Sequence, residues 1–285
     1  MKKALVLGGT GMLGAPVVRR LVADGFAVRV LARDPRAARS KLADVAERIE
    51  VAGGDAADPL AVREAAMGCG LLHVSVGPPV DRITTEIAAR VAADVGAERL
   101  GYVSGTTVSE DHRWFPMIDE KLAAERAVEE SGVPWTIFRP SWPFEQLPRF
   151  ARGGEPFLLG EIPHRWHWFA GDDMGRMVSA AYQRPAAARK RLTIHGPEAL
   201  TLREALERYC ATVHPDAPPI KVMPLWLARL MGTVTRNAQL RAGARLMAYF
   251  VKVGEGGDPS ETNDMVGPPT TTLDAWLEER MGVPA

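Results

Sequence analysis

Cysteine is scarce in this chain. Cys69 and Cys210 are the two present in 285 residues, with no C-x-x-C spacing and no histidine cluster beside them. That leaves out a zinc ribbon and a disulfide framework, and two buried, reduced thiols are expected. Net charge is also missing, because 35 lysines and arginines balance 35 aspartates and glutamates. A neutral chain has no general attraction for nucleic acid or an anionic membrane, although a balanced sum leaves room for a local patch. Long apolar runs are absent too. The N-terminal run Ala4-Leu5-Val6-Leu7 stops at Gly8, too short for a signal peptide or a membrane span. We therefore expect a cytoplasmic protein, monomer or homodimer, with neither a nucleic-acid nor a membrane partner. There is no internal repeat and no long low-complexity segment. A content of 46% hydrophobic and 25% charged residues is ordinary for a globular protein, and the length suits one large domain or two small ones.

In the first half, short β-rich runs alternate with amphipathic stretches. The pattern predicts strands at 4–7, 27–31, 49–52, 71–76, 100–104 and 135–139, and helices at 12–23, 35–47, 59–67, 84–95 and 116–131. Strands that are apolar nearly throughout are buried on both faces, as in a parallel sheet, and the alternation argues for a doubly wound α/β fold. Gly25 and Gly132 stand where helices should stop. Beyond residue 144 the rhythm changes and prolines, tryptophans and glycines become frequent. Helices are expected at 174–182, 202–213, 225–231 and 241–251, with a short strand at 192–194 returning to the main sheet. Residues 254–272 read as a long loop before a last helix at 273–281. The expected division is a Rossmann domain at 1–145 and a smaller, mostly helical substrate region at 146–285.

The strongest signal is Ala4-Leu5-Val6-Leu7-Gly8-Gly9-Thr10-Gly11-Met12-Leu13-Gly14. A buried strand runs into glycines and then into a helix. That order lets backbone approach a pyrophosphate without a Cβ in the way, while the amides opening the helix face the negative charge. It reads as G-x-G-x-x-G through Gly9, Gly11 and Gly14, in the context the motif requires. Pro16 falls within the first turn, where an amide has little to lose. At the end of the second strand stands Ala32-Arg33-Asp34-Pro35. An acidic residue there bonds the ribose hydroxyls of NAD, whereas arginine suits the 2′-phosphate of NADP. Arg33 comes first, with Arg36 to assist, so NADP(H) is expected over NAD. Asp34 is expected to turn away and either start the next turn or cap the helix after Pro35. Asp55 has two open readings, a contact to the adenine amino group or a cap for the helix from Pro59. Val76 and Gly77 follow the fourth strand, where a glycine either admits the cofactor or forms an ordinary Gly-Pro turn.

These residues resemble the atypical, extended short-chain dehydrogenase/reductases, close to the NmrA-like branch. The resemblance rests on Gly8 to Gly14, Leu31 to Pro35 and Gly54-Asp55. It continues through Tyr102-Val103-Ser104, Lys121 to Glu125 and Ser131 to Pro140. It persists more weakly through Gly171 to Met174 and Gly196 to Glu198. It implies a parallel sheet of about seven strands, NADP(H), and a smaller C-terminal region over the nicotinamide. Active members carry a tyrosine four residues before a lysine; here Met117 precedes Lys121 at that spacing, and a thioether exchanges no proton. The family's serine falls at Ser104 or at Gly105. Lys121 shares a helix face with Met117, Ala124 and Val128, and its readings are contact with cofactor ribose, snorkelling to solvent, or pairing with Glu125. The resemblance extends the cofactor set to Pro140 and Trp142 and leaves Lys121 and Ser104 as the catalytic candidates.

Trp142 and Phe144 read either as an apolar wall of a substrate site or as a hinge between subdomains. In His164-Arg165-Trp166-His167-Trp168 the histidines are either acid/base groups near substrate or the outward positions of a strand. No third ligand lies nearby along the chain, so no metal is expected. Asp172 or Asp173 should cap the following helix. Two functions stay open: an NADP(H)-dependent oxidoreductase acting on a small carbonyl-type molecule, and a catalytically silent NADP(H)-binding sensor or assembly subunit.

Overall fold

A computed structural model describes residues 2–281. In the first half it alternates strand and helix as the apolar pattern requires: β1 (Lys3–Leu7), α1 (Gly14–Ala23), β2 (Ala27–Ala32), α2 (Pro35–Lys41), β3 (Ile49–Gly53), α3 (Pro59–Ala66), β4 (Leu71–Val74), α4 (Asp81–Asp94), β5 (Arg99–Val103), α5 (Pro116–Glu130) and β6 (Trp135–Pro140). Then come β7 (Phe157–Leu159), β8 (Trp166–Trp168), α6 (Gly171–Tyr182), β9 (Lys190–Ile194), β10 (Glu198–Leu200) and α7 (Leu202–Val213). The chain ends with β11 (Lys221–Met223), α8 (Leu225–Val234), α9 (Ala238–Lys252), α10 (Ser260–Val266) and α11 (Leu273–Met281).

The main sheet has seven parallel strands in the order β3-β2-β1-β4-β5-β6-β9. The chain winds outward from β1 in one direction and then from β4 in the other, so the topological switch point lies between β1 and β4. All four residues of β4 and the last four of β1 are buried, as strands covered on both faces must be. The expected return of a strand near 192–194 is β9, paired with β6 through Pro140↔Ile194.

Several boundaries differ from expectation for visible reasons. The strand expected to reach residue 76 stops at Val74. Ser75 N still bonds Leu7 O, but the next residues run into Pro78 and Pro79, which have no amide for a ladder. The helix expected to reach residue 47 ends at Lys41, and a turn then lets both Leu42 and Val45 bury themselves. Residues 254–272 are not one loop. Ser260–Val266 form α10, opened by Asp258, whose Oδ1 accepts from Ser260 N, and α10 packs on α6 and β9. Its polar composition hid it. Of the short strands of the second half, β7, β10 and β11 escaped the sequence pattern, because three residues carry too little period.

The structure separates into two compact units. One comprises the chain up to Pro140, Gly171–Ile194 and Asp258–Pro269; the other comprises Ser141–Ala170, His195–Gly257 and Thr270 onward. The chain passes between them repeatedly, and the expected boundary near 145 marks only the first passage. In the first unit α1 packs against α6 at Gly175, where a Cβ would stand 2.7 Å from Pro16 O. In the second unit, β8 pairs antiparallel with β10, and β7 parallel with β11. Its core gathers Trp142, Phe144, Trp166, Trp168, Tyr209 and Trp276. Trp142 stacks on Phe150 and meets Trp166, Trp168 and Phe250 edge-on or tilted, and Phe144 stacks on Trp168. These rings hold the second unit together.

Candidate functional site

Parallel strands present their carboxyl ends on one edge, and the expected site residues gather there. Gly8 follows β1, Arg33 follows β2, Asp55 lies just beyond β3, and Val76 and Gly77 just beyond β4. Ser104 follows β5, and Pro140 closes β6. Ligands of doubly wound sheets bind along that edge at the switch point.

The glycine turn is shaped by what it excludes. Gly8 has φ +82°, and a Cβ there would stand 2.2 Å from Ser75 O and 3.0 Å from Val76 Cγ1. A Cβ at Gly14 would stand 2.1 Å from Gly8 O. Gly11 N donates to Gly8 O at 2.9 Å, closing the turn. Gly8 and Val76, far apart in sequence, are thus in contact. Leu13 sits at the N-cap of α1 without a side-chain hydrogen bond, and the first turn holds no acidic residue. The opening amides therefore lack a side-chain acceptor, while the cradle is cleared of Cβ atoms, which suits a bound phosphate.

Next to it, Asp34 Oδ1 accepts from Arg36 N and Ala37 N and caps α2, as expected. Arg33 is exposed, with no side-chain partner among the described residues. Asp55 Oδ1 accepts from Ala57 N at 2.9 Å, and Asp58 is the residue that caps α3, by accepting from Leu60 N. The cap reading of Asp55 is thereby corrected: an aspartate nearer Pro59 takes the role. A Cβ on Gly77 would meet nothing within 4 Å, so the local fold places no demand for glycine there. Asp172 and Asp173 lie inside the first turn of α6 instead of capping it, and Asp173 pairs with Arg176 at 3.2 Å.

Lys121 and Ser104 have partners that the sequence did not indicate. Lys121 Nζ donates to Asp81 Oδ2 at 2.7 Å and to the Tyr102 hydroxyl at 3.4 Å. Its side chain is 14% exposed and that of Asp81 7%. The expected alternatives of solvent and Glu125 give way to a buried ion pair with the start of α4. Burial, reinforced by the negative charges of Asp81 and Glu125, holds the Tyr102 phenol well above the usual tyrosine range, so it stays protonated. Asp81 Oδ1 and Thr84 Oγ1 are buried without a partner on the same stretch of α4. Ser104 Oγ donates to Glu125 Oε1 at 2.5 Å. Glu125, fully desolvated, also receives Arg139 Nε at 3.0 Å and Nη2 at 2.5 Å, with Arg191 Nε at 3.5 Å. Guanidinium forks on both sides make a buried carboxylate affordable. Met117 lies on the same face as Lys121, half-buried.

In the second unit the two expected histidines part company. His164 Nε2 bonds Val251 O at 3.1 Å. His167 stands outward on β8 between buried Trp166 and Trp168, the alternation expected of a strand. Its Nδ1 bonds Glu255 Oε2, and its backbone N donates to Glu255 Oε1 at 3.0 Å. Ser141 Oγ donates to the same Oε1, and His195 Nδ1 lies 3.8 Å from Oε2 while its Nε2 bonds Gly256 O at 3.1 Å. The two imidazoles are parallel, with centroids 5.1 Å apart. Along the chain no third ligand accompanied His167; in space His195 and Glu255 do. The signal available was position: Ser141 and His195 are the residues that follow the paired ends of β6 and β9. Trp142 and Phe144 are buried in the aromatic core of the second unit.

Residues 8–164 match the NAD(P)H-binding family, and the chain belongs to it. It is 30% identical over 205 residues, 70% of each chain, to the (4-alkanoyl-5-oxo-2,5-dihydrofuran-3-yl)methyl phosphate reductase of Streptomyces griseus subsp. griseus. It is 24% identical to the Photosystem II assembly factor Ycf39 of Synechocystis sp., covering 98% of this chain and 91% of that one. Among solved structures it is similar to the triphenylmethane reductase of Citrobacter sp. complexed with NADP(H), with a TM-score of 0.75 and 18% identity over 98% of this chain and 99% of the other. The fold is that of the NmrA-like, atypical short-chain reductases, as the motifs implied.

Proposed function

We propose that this chain is an NADP(H)-dependent reductase of a small organic acceptor of the carbonyl type. The observation that carries the proposal is the turn at Gly8–Gly14, which closes tightly because Gly8 and Gly14 carry no Cβ and which opens onto helix amides without a side-chain cap. In this reading the amides of Thr10, Met12, Leu13 and Gly14 receive the pyrophosphate across the turn that Gly8 and Gly11 close, and Arg33 takes the 2′-phosphate as a bidentate fork. Asp55 and Val76 border the adenosine half, and Gly77 and Pro140 border the route toward the nicotinamide. Bound there, the nicotinamide supplies a hydride. Lys121, held by Asp81, presents its remaining N–H to the ribose, and Ser104, engaged by Glu125, keeps the end of β5 in place. Trp142 stays a core residue.

Titration of the protein with NADPH and NADH, followed by quenching of its tryptophans, tests this reading. Tighter binding of NADPH, and its oxidation by some member of a carbonyl and quinone panel, is the expected result. Failure to bind either nucleotide sinks it. A second reading, a cofactor-binding assembly protein without turnover, is favoured by Met117 at the family's tyrosine position and by the likeness to an assembly factor. Tight binding with no oxidation and co-purification with a fixed partner would select it.

A further inference from the structure

We propose that the α8–α9 hairpin is a docking surface for a membrane rich in anionic phospholipid. Two independent features of this hairpin lead there. The first is an apolar stripe. Trp226, Leu230 and Val234 follow each other at four-residue steps along α8 and are 66%, 53% and 74% exposed, with Met231 beside them. Only Ala228 and Gly232 of α8 are buried, on the opposite side. A Cβ on Gly232 would stand 2.7 Å from Arg241 Cγ. Gly232 thus faces α9 and Leu225 packs on the core of the unit, while Trp226, Leu230, Met231 and Val234 face outward, more large apolar surface than a helix serving only its own core would show.

The second feature is charge. Residues 217–254 contain six basic residues, Lys221, Arg229, Arg236, Arg241, Arg245 and Lys252, and no aspartate or glutamate. With 35 of each sign in the whole chain, the remainder carries 29 basic against 35 acidic residues, so a neutral sum hides a basic segment. Elsewhere most surface guanidinium groups on helices meet carboxylates, as Arg82 meets Glu86 and Arg203 meets Glu161. Arg229, Arg236, Arg241 and Arg245 have no carboxylate at ion-pair distance among the described residues.

An exposed tryptophan and aliphatic stripe flanked by unpaired arginines is the pattern of a helix lying in a headgroup layer: the apolar side chains enter the acyl boundary and the arginines meet lipid phosphates. A second copy of the chain is the poorer occupant, since a two-fold contact would press the same arginines against each other. No described helix is long and apolar enough to cross a membrane, so the hairpin lies on the surface.

Co-sedimentation of the full chain with vesicles of phosphatidylcholine, alone or mixed with phosphatidylglycerol, tests the proposal. Association is expected with the phosphatidylglycerol vesicles, with a blue shift of tryptophan emission absent from Trp226→Phe, and it should weaken as salt rises. The double variant Leu230→Asp/Val234→Asp should lower partitioning by about tenfold or more, and Arg229→Gln/Arg236→Gln should remove the preference for anionic lipid. Trp114→Ser, which alters an exposed tryptophan far from the hairpin in sequence, should bind as the parent does; unchanged circular dichroism confirms that each variant is folded. Absence of binding to anionic vesicles, binding indifferent to the α8 variants, or a concentration-dependent dimer abolished by Leu230→Asp/Val234→Asp would overturn the proposal.

Discussion

Lys121 Nζ lies 2.7 Å from Asp81 Oδ2, both nearly removed from solvent. Lys121 is therefore fixed by the first residue of α4. Removing one member of such a pair strands the other. Lys121→Ala is expected to cost about 3–5 kcal/mol in denaturant unfolding. The double change Lys121→Met/Asp81→Leu should recover most of that stability while NADPH binding stays weakened. Full binding in the stable double variant would show that Lys121 serves the fold alone.

The glycines of the site should separate by cause. Gly8→Ala and Gly14→Ala drive a Cβ to about 2 Å from a carbonyl oxygen, so both are expected to lose stability by roughly 2 kcal/mol or more along with cofactor binding. Gly77→Ala meets nothing. Its melting temperature should stay within about a degree of the parent, and a raised Kd for NADPH would then assign Gly77 to the cofactor's path. An unchanged Kd removes it from the site.

Arg33 has no structural duty among the described contacts, so its replacement isolates its chemistry. Charge-assisted hydrogen bonds of about 1.5–3 kcal/mol correspond to roughly ten- to hundredfold in Kd. Arg33→Ala should weaken NADPH binding by that factor and leave NADH binding nearly unchanged. Equal loss for both nucleotides would contradict the assignment to the 2′-phosphate.

His73 is a stability probe within the sheet. It is wholly buried on β4, with Nδ1 2.5 Å from the Tyr182 hydroxyl and no partner for Nε2. Burial pushes its pKa down to about 3 from 6.5 and pushes that of Tyr182 up, so both stay neutral. Because the folded pKa lies below the unfolded one, the unfolded chain binds the proton first as pH falls. This stability is complete above about pH 6.5 and is lost at up to about 1.4 kcal/mol per pH unit on acidification toward 3. Unfolding free energies at pH 7.5 and 5.5, above most carboxylate titration, should show the loss in the parent and a flatter response in His73→Leu. Parallel slopes would assign the acid sensitivity elsewhere.

Tyr182 also explains Gly101. A Cβ at that position would stand 1.7 Å from the tyrosine hydroxyl, so Gly101→Ala is expected to displace Tyr182, break its bond to His73 and destabilise the fold by about 2–4 kcal/mol. In the Gly101→Ala/Tyr182→Phe variant part of this cost should return, as thermal unfolding can establish.

Local chemistry made much of this legible from residues alone. Buried apolar runs separated by amphipathic stretches specify a parallel α/β sheet, since a strand covered on both faces has no polar side to show. Gly8 to Gly14 announced their turn because strand, glycines and helix follow one another in the order the turn needs, although Ser75 and Val76, distant in sequence, also demand a glycine at position 8; Asp34 announced its cap because cap and helix are adjacent. Short elements were lost: β7, β10, β11 and the polar α10 carry too little period to be seen, whereas β8 showed through the alternation of its tryptophans with His167. What only the tertiary structure decided are the partners. Asp81 reaches Lys121, Glu125 gathers Ser104, Arg139 and Arg191, and Glu255 draws Ser141, His167 and His195 together. Each depends on strand register and on how distant segments fold back, and pattern along the chain holds no record of that. A net charge of zero likewise concealed the basic, apolar face of α8, because a sum over the sequence carries no positions and a surface does.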